Sequence, residues 1–86
     1  MNIRKINGTD NWIFNIKETN CNVLGEIRRR LTDLRYDLYR CGKNTSTTYY
    51  VQDHRVDFMV NIPEKNLFNE VFKIFVEVLI NREQYV

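Results

Sequence analysis

Apolar side chains recur along this chain with two different periods, and the same order of periods occurs twice. Trp12, Phe14 and Ile16 alternate with Asn11, Asn15 and Lys17, the spacing that puts successive side chains on opposite faces of a strand over residues 11–18. Asn7-Gly8 just ahead is a hairpin signal, because both residues tolerate positive φ. Residues 1–6 then form the partner strand. Met1 and Ile3 fall on the side of Trp12, Phe14 and Ile16, and Ile6 and Ile13 on the other. From Leu24 the period changes: Leu24, Ile27, Leu31, Leu34, Leu38 and Cys41 make one helical stripe. A helix is expected near 20–41, with Thr19 or Asn22 as N-cap and Gly42 just past its end.

Residues 44–62 return to period two. Thr47 to Gln52 is rich in strand formers, and Val56, Phe58, Val60 and Ile62 alternate with Arg55, Asp57, Met59 and Asn61. Strands are expected over 47–52 and 55–62, joined by a tight turn at Asp53-His54. A two-residue turn sets Tyr49 opposite Phe58 and Val51 opposite Val56 on the core side. Pro63-Glu64 then opens a second helix as its first two residues, running to about 82.

That helix carries ten large apolar residues: Leu67, Phe68, Val71, Phe72, Ile74, Phe75, Val76, Val78, Leu79 and Ile80. They span an arc roughly 200° wide, where an ordinary surface helix shows about 100°. A sheet covers one side of such an arc and leaves Phe72, Val76 and Ile80 over. Each large apolar side chain left in water forfeits on the order of 1.5–3 kcal/mol. A homodimer with two-fold symmetry, using these three residues, is the expected remedy.

The halves also align with each other. A shift of 44 positions lays Trp12, Phe14 and Ile16 on Val56, Phe58 and Val60, and Asn22 to Ile27 on Asn66 to Val71. The expectation is a single α+β domain over 1–86, with a ββα duplication, 1–43 and 44–86. Its architecture is two-layer ββαββα: one four-stranded antiparallel sheet with two helices on one face.

Composition narrows the class. With 43% hydrophobic and 28% charged residues, the chain has globular rather than disordered composition. Glu70, Lys73 and Glu77 interrupt the longest apolar stretch, which falls short of the ~20 residues of a membrane span. Met-Asn-Ile-Arg-Lys-Ile lacks the apolar core of a signal peptide. Cys21 and Cys41 sit at the two ends of one helix, about 30 Å apart at a rise of about 1.5 Å per residue, too far for a disulfide. Free thiols, and with them a cytoplasmic location, are expected.

Catalysis finds little support. The chain has one histidine, His54, and one serine, Ser46. Asp53, His54 and Asp57 could be drawn as an acid–base or metal cluster, but the first two suit a turn and Asp57 alternates outward on a strand. No glycine-rich phosphate loop or metal-ligand spacing is present. The expectation is a non-enzymatic protein with no cofactor and no metal.

The first helix is more informative. Opposite its apolar stripe, Arg28, Arg29, Thr32, Arg35, Tyr36, Tyr39 and Arg40 form one contiguous basic and aromatic face, with Lys43 just beyond the helix end. Local pairing accounts for some of the charge: Arg29 with Asp33, Arg30 with Glu26, Arg40 with Asp37. Arg28 and Arg35 have no acid three or four residues away. Residues 1–43 hold nine Lys and Arg against five Asp and Glu, a net +4, while residues 44–86 hold four against six, a net −2. Arginine predominates in the basic half, which suits bidentate contact with phosphate. The sheet face turned away from the helices offers a second surface, with Arg4, Ile13, Tyr50, Arg55 and Met59 among polar residues.

These observations point to a small binding protein that contacts RNA or DNA backbone, or a nucleoprotein. Arg28 and Arg35 are the expected phosphate contacts, Arg29, Arg40 and Lys43 supporting charge, and Tyr36 and Tyr39 stacking groups. The alternative is a protein–protein interaction module, such as a phage-like accessory protein that inhibits a larger host enzyme. Eleven asparagines are consistent with the AT-rich genome of many phages.

Overall fold

Two β-hairpins and two helices alternate along the chain: β1 (Asn2–Lys5), β2 (Asn11–Ile16), α1 (Cys21–Arg40), β3 (Thr47–Gln52), β4 (Arg55–Asn61) and α2 (Lys65–Ile80), with a closing 3-10 turn at Arg82–Gln84. The computed structural model describes residues 1–52 and 55–86; the turn expected at Asp53-His54 lies outside the described residues. The strands form one antiparallel sheet in the order β1-β2-β4-β3. The α+β architecture expected from the two apolar periods is the one observed.

Alternation decides which face is covered. Phe14, Ile16, Val56, Phe58 and Val60 are buried, and all point to the same side of the sheet. They meet Val23, Ile27 and Leu31 of α1 and Leu67, Val71, Phe75 and Val78 of α2, so both helices lie on that side. Phe75 joins the layers, stacked on Phe14 at 4.6 Å between centroids and edge-on to Phe58 at 5.2 Å. The opposite face, with Ile13, Asn15, Asp57 and Met59, is only partly buried, as befits an antiparallel sheet with one wet side.

The first hairpin follows its turn chemistry. Gly8 takes φ 77°, and the Ile6 N–H donates to the Asn11 carbonyl at 2.9 Å, closing the first turn. In the second hairpin Tyr49 pairs with Phe58 and Val51 with Val56, the register expected. Val51 nonetheless remains 63% exposed. It lies on an edge strand, on the wall of an open cleft beside Leu24, so core-side parity alone does not bury it.

Helix ends correct three expectations. The N-cap of α1 is Asn20, not Thr19 or Asn22; its side-chain carbonyl accepts from the Asn22 and Val23 N–H groups at 2.9 and 3.2 Å. The Glu18 carboxylate accepts from the Thr19 and Asn20 N–H groups, which fixes the approach. At the other end Gly42 adopts φ 78°, the Lys43 N–H reaches the Leu38 carbonyl and the Gly42 N–H that of Tyr39, a Schellman closure. α2 starts after Glu64, not at Pro63: Glu64 is extended at φ −120°, ψ 139°, and its carboxylate turns to Lys43 instead of capping the helix. α2 also stops at Ile80, short of residue 82, where the Asn81 side chain donates to the Glu77 carbonyl.

The 44-residue shift extends through the structure. α1 begins at Cys21 and α2 at Lys65. Buried Val23, Ile27 and Leu31 correspond to buried Leu67, Val71 and Phe75, and Phe14 and Ile16 to Phe58 and Val60. Each helix lies over the hairpin of the other half. Phe68 of α2 meets Trp12 of β2 at 4.8 Å, and Leu31, Leu34 and Leu38 of α1 wall a small cavity with Thr47 of β3 and Val60 of β4.

Candidate nucleic-acid interface

The second half of α1 and the turn after it carry the largest exposed aromatic surface outside the sheet. Tyr36 and Tyr39 are 61% and 69% exposed. With Arg35, Lys43, Asn44 and Thr45 they line a depression of about 330 Å3. The Schellman turn is what brings Lys43 back to this helix end, since its N–H is held by the Leu38 carbonyl. The Thr45 hydroxyl donates to the Asn61 carbonyl, anchoring the far wall to β4. Lys43 Nζ lies 2.8 Å from Glu64 Oε2, and this contact raises the Lys43 pKa above its ordinary value. Both partners of that pair are about half exposed. An exposed ion pair contributes little to stability, so exchanging the Glu64 carboxylate for a phosphate costs little.

Arg29, Arg30 and Arg40 make the local ion pairs expected of them, and Arg29 and Arg30 make further ones. Arg29 is held between Glu26 at 2.6 Å and Asp33 at 3.0 Å. Arg30 reaches Glu26 at 3.0 Å, Glu77 at 3.2 Å and the Tyr85 hydroxyl at 3.0 Å, tying α1 to α2 and to the C-terminus. The hydrogen bond from Arg29, then that from Arg30, pulls the Glu26 carboxyl down to about 2. Arg40 lies 3.5 Å from Asp37 with both side chains well exposed. Arg28 has an interaction within the chain, although no acid stands three or four residues away. It lines a separate cleft at the start of α1 with Cys21, Leu24, Val51 and Arg55.

Of the seven expected contact residues, the structure brings Arg35, Tyr36, Tyr39 and Lys43 to one depression. Arg28 belongs elsewhere, and Arg29 is committed to two carboxylates. Asn44 and Thr45 were not singled out from the sequence, and Glu64 was read there only as part of the start of α2. The Lys43–Glu64 contact spans 21 positions, and no local pattern announces it.

The three residues expected to make a dimer contact also divide. Ile80 is 74% exposed and Phe72 38% exposed, whereas Val76 is partly buried. Phe72 stacks on Phe68 at 6.1 Å, and Phe68 meets Trp12 in a tilted contact, so part of the wide apolar arc of α2 is covered within the chain. Among the described residues no group of His, Cys, Asp and Glu could hold a metal ion, and no helix is long and apolar enough to cross a membrane. No protein-family model, no curated protein and no solved structure matches this chain.

Proposed function

We propose that this chain is a non-enzymatic binding protein that holds single-stranded nucleic acid at the C-terminal end of α1. One observation carries the reading: two exposed tyrosines share a depression with two cationic side chains, Arg35 and Lys43. Aromatic faces stack bases of any sequence, and adjacent cations meet the phosphates between them. The salt bridges of Arg29 and the engagement of Arg28 leave too narrow a cationic surface to follow a duplex. A short single strand needs less, because stacking replaces part of the phosphate contact.

Charge compensation along the rest of α1 favours a second reading, a protein partner, since exposed Tyr and Arg ringed by paired charges also make protein hot spots. Salt separates the two. Fluorescence anisotropy with labelled RNA and DNA single strands should show binding that weakens log-linearly with ionic strength. Absence of binding at low salt would refute the nucleic-acid reading and promote the protein partner. A homodimer through Phe72 and Ile80 is a further part of the proposal, carried by the exposure of these two side chains. Sedimentation at high micromolar concentration tests it, and a monomer there removes it.

A further inference from the structure

A second cleft, about 620 Å3, opens at the start of α2 and is lined in part by Lys5, Trp12, Lys65 and Phe68. We infer that it is a second subsite for the same single strand, taking a base against the Trp12–Phe68 pair and flanking phosphates on Lys5 and Lys65. This inference rests on the nucleic-acid reading above. Lys43 lines the first depression, while Pro63 and Lys65, on either side of Glu64, line the second. The 2.8 Å Lys43–Glu64 contact therefore joins the two rims. In this proposal a strand leaving Tyr39 passes Lys43 before it reaches the second cleft.

The internal repeat supplies a comparison that the fold itself does not explain away. The equivalent cleft at the start of α1 has the same position and the same strand and helix walls, but different chemistry. Under the 44-residue shift Lys65 corresponds to Cys21, Phe68 to Leu24 and Trp12 to Val56. Lys5 corresponds to Val51, because Lys5 pairs with Trp12 as Val51 pairs with Val56. The fold thus builds this cleft without aromatic rings in one half, where Arg28 and Arg55 rather than lysines supply the positive charge. The two lysines of the other half are not a requirement of packing, since both are exposed, whereas Trp12 and Phe68 also pack against the core. The rings of Trp12 and Phe68 lie 4.8 Å apart at 54°, a tilted pair only partly buried.

The helix ends differ in the same sense. Asn20 caps the first amides of α1, whereas Glu64 makes no side-chain cap on α2 and gives its carboxylate to Lys43. Asp10 is the one carboxylate among the described residues on the wall of the second cleft and offers an acceptor to an exocyclic amino group of a base.

Trp12 is the only tryptophan in the chain, so its emission reports on this cleft alone. The test titrates the full chain with a labelled single strand of about ten nucleotides, following anisotropy and Trp12 emission together. The expected result is quenching of Trp12 in step with binding. Lys5→Ala with Lys65→Ala should weaken binding about tenfold and lower the salt slope by about 1.4 units, about 0.7 for each phosphate contact of a single strand. A dinucleotide, too short to reach both subsites, should bind far more weakly than the longer strand. Unchanged melting of the double variant shows that the loss is not one of folding. Suppose the strand binds and Arg35→Ala abolishes that binding, while Trp12 stays silent and the lysine variant matches wild type. Then the function stands and the second subsite is overturned. If no strand binds at low salt, the nucleic-acid reading itself falls and takes the subsite with it.

Discussion

Phe14 and Phe58 stand directly opposite each other in the β2–β4 ladder, and they are also equivalent positions of the two halves. The shift that relates the halves exchanges the pairs Trp12–Val60 and Ile16–Val56 but returns Phe14–Phe58 to itself. A local two-fold axis therefore passes between these two rings. Phe75 sits over both of them, and its equivalent in α1 is Leu31, so the core departs from symmetry at its centre.

Phe75→Ala should accordingly be the most damaging core substitution, costing about 3–5 kcal/mol through lost burial and a residual cavity. Phe75→Leu, which restores the residue of the other half, should cost less. Urea denaturation of both variants checks the order, and equal losses would contradict the central role given to the ring.

Glu18 is buried where the other half has buried Ile62, and its carboxylate accepts from Arg82 Nε at 2.9 Å and Nη2 at 3.2 Å. Glu18→Ala removes these bonds and those to the Thr19 and Asn20 N–H groups. A loss of about 2 kcal/mol is expected for charge-assisted bonds at this depth. In a domain of this size that lowers Tm by roughly 10 °C. A Tm within a degree or so of wild type would show that the pair contributes nothing net.

Stability should fall in acid. The guanidinium of Arg82 holds the Glu18 carboxyl below its ordinary value, and Arg29 and Arg30 hold Glu26 at about 2. Both folded pKa values lie below the unfolded ones, so the stabilisation is complete above the ordinary carboxylate range and disappears as pH falls through the folded values. Thermal melts should be level from about pH 7 to 5 and decline towards about pH 2. Glu26→Gln should flatten that decline; an unaltered profile would assign the acid sensitivity to other groups.

Cys21 and Cys41 are both free and exposed, one at the first residue of α1 and the other at its C-cap. An alkylating reagent should label both in the native protein without prior reduction. Mass spectrometry finding either blocked by an intrachain bridge would require α1 to be broken.

Tyr36→Ala with Tyr39→Ala should leave stability within about 0.5 kcal/mol of wild type, as for surface positions generally. Each lost base stack should weaken single-strand binding by roughly 1–3 kcal/mol. Anisotropy alongside thermal melting separates the two effects; unfolding would mean that the tyrosines hold the fold rather than a ligand.

The sequence by itself determined whatever depends on neighbours a few positions apart. Alternation at period two named the buried faces of β2 and β4, and the 3.6 period named buried Ile27 and Leu31 of α1, because strand and helix geometry convert spacing directly into direction. The ion pairs of Arg29 with Asp33, Arg30 with Glu26 and Arg40 with Asp37 were legible for the same reason. Val23 is buried although it lies outside the expected stripe, and Cys41 within that stripe is exposed. Only the tertiary structure decided which distant groups meet. Glu18 finds Arg82 across 64 positions, Arg30 finds Glu77 across 47, and Lys43 finds Glu64 across 21. These contacts follow from the crossing of each helix onto the other half's hairpin, and no local period encodes that crossing. The same crossing commits Arg30 to the helix–helix contact and sets Lys43, on the depression with Arg35 and the tyrosines, against Glu64. Residue spacing gave α1 a basic face; packing decided which of its cations remain on an open surface.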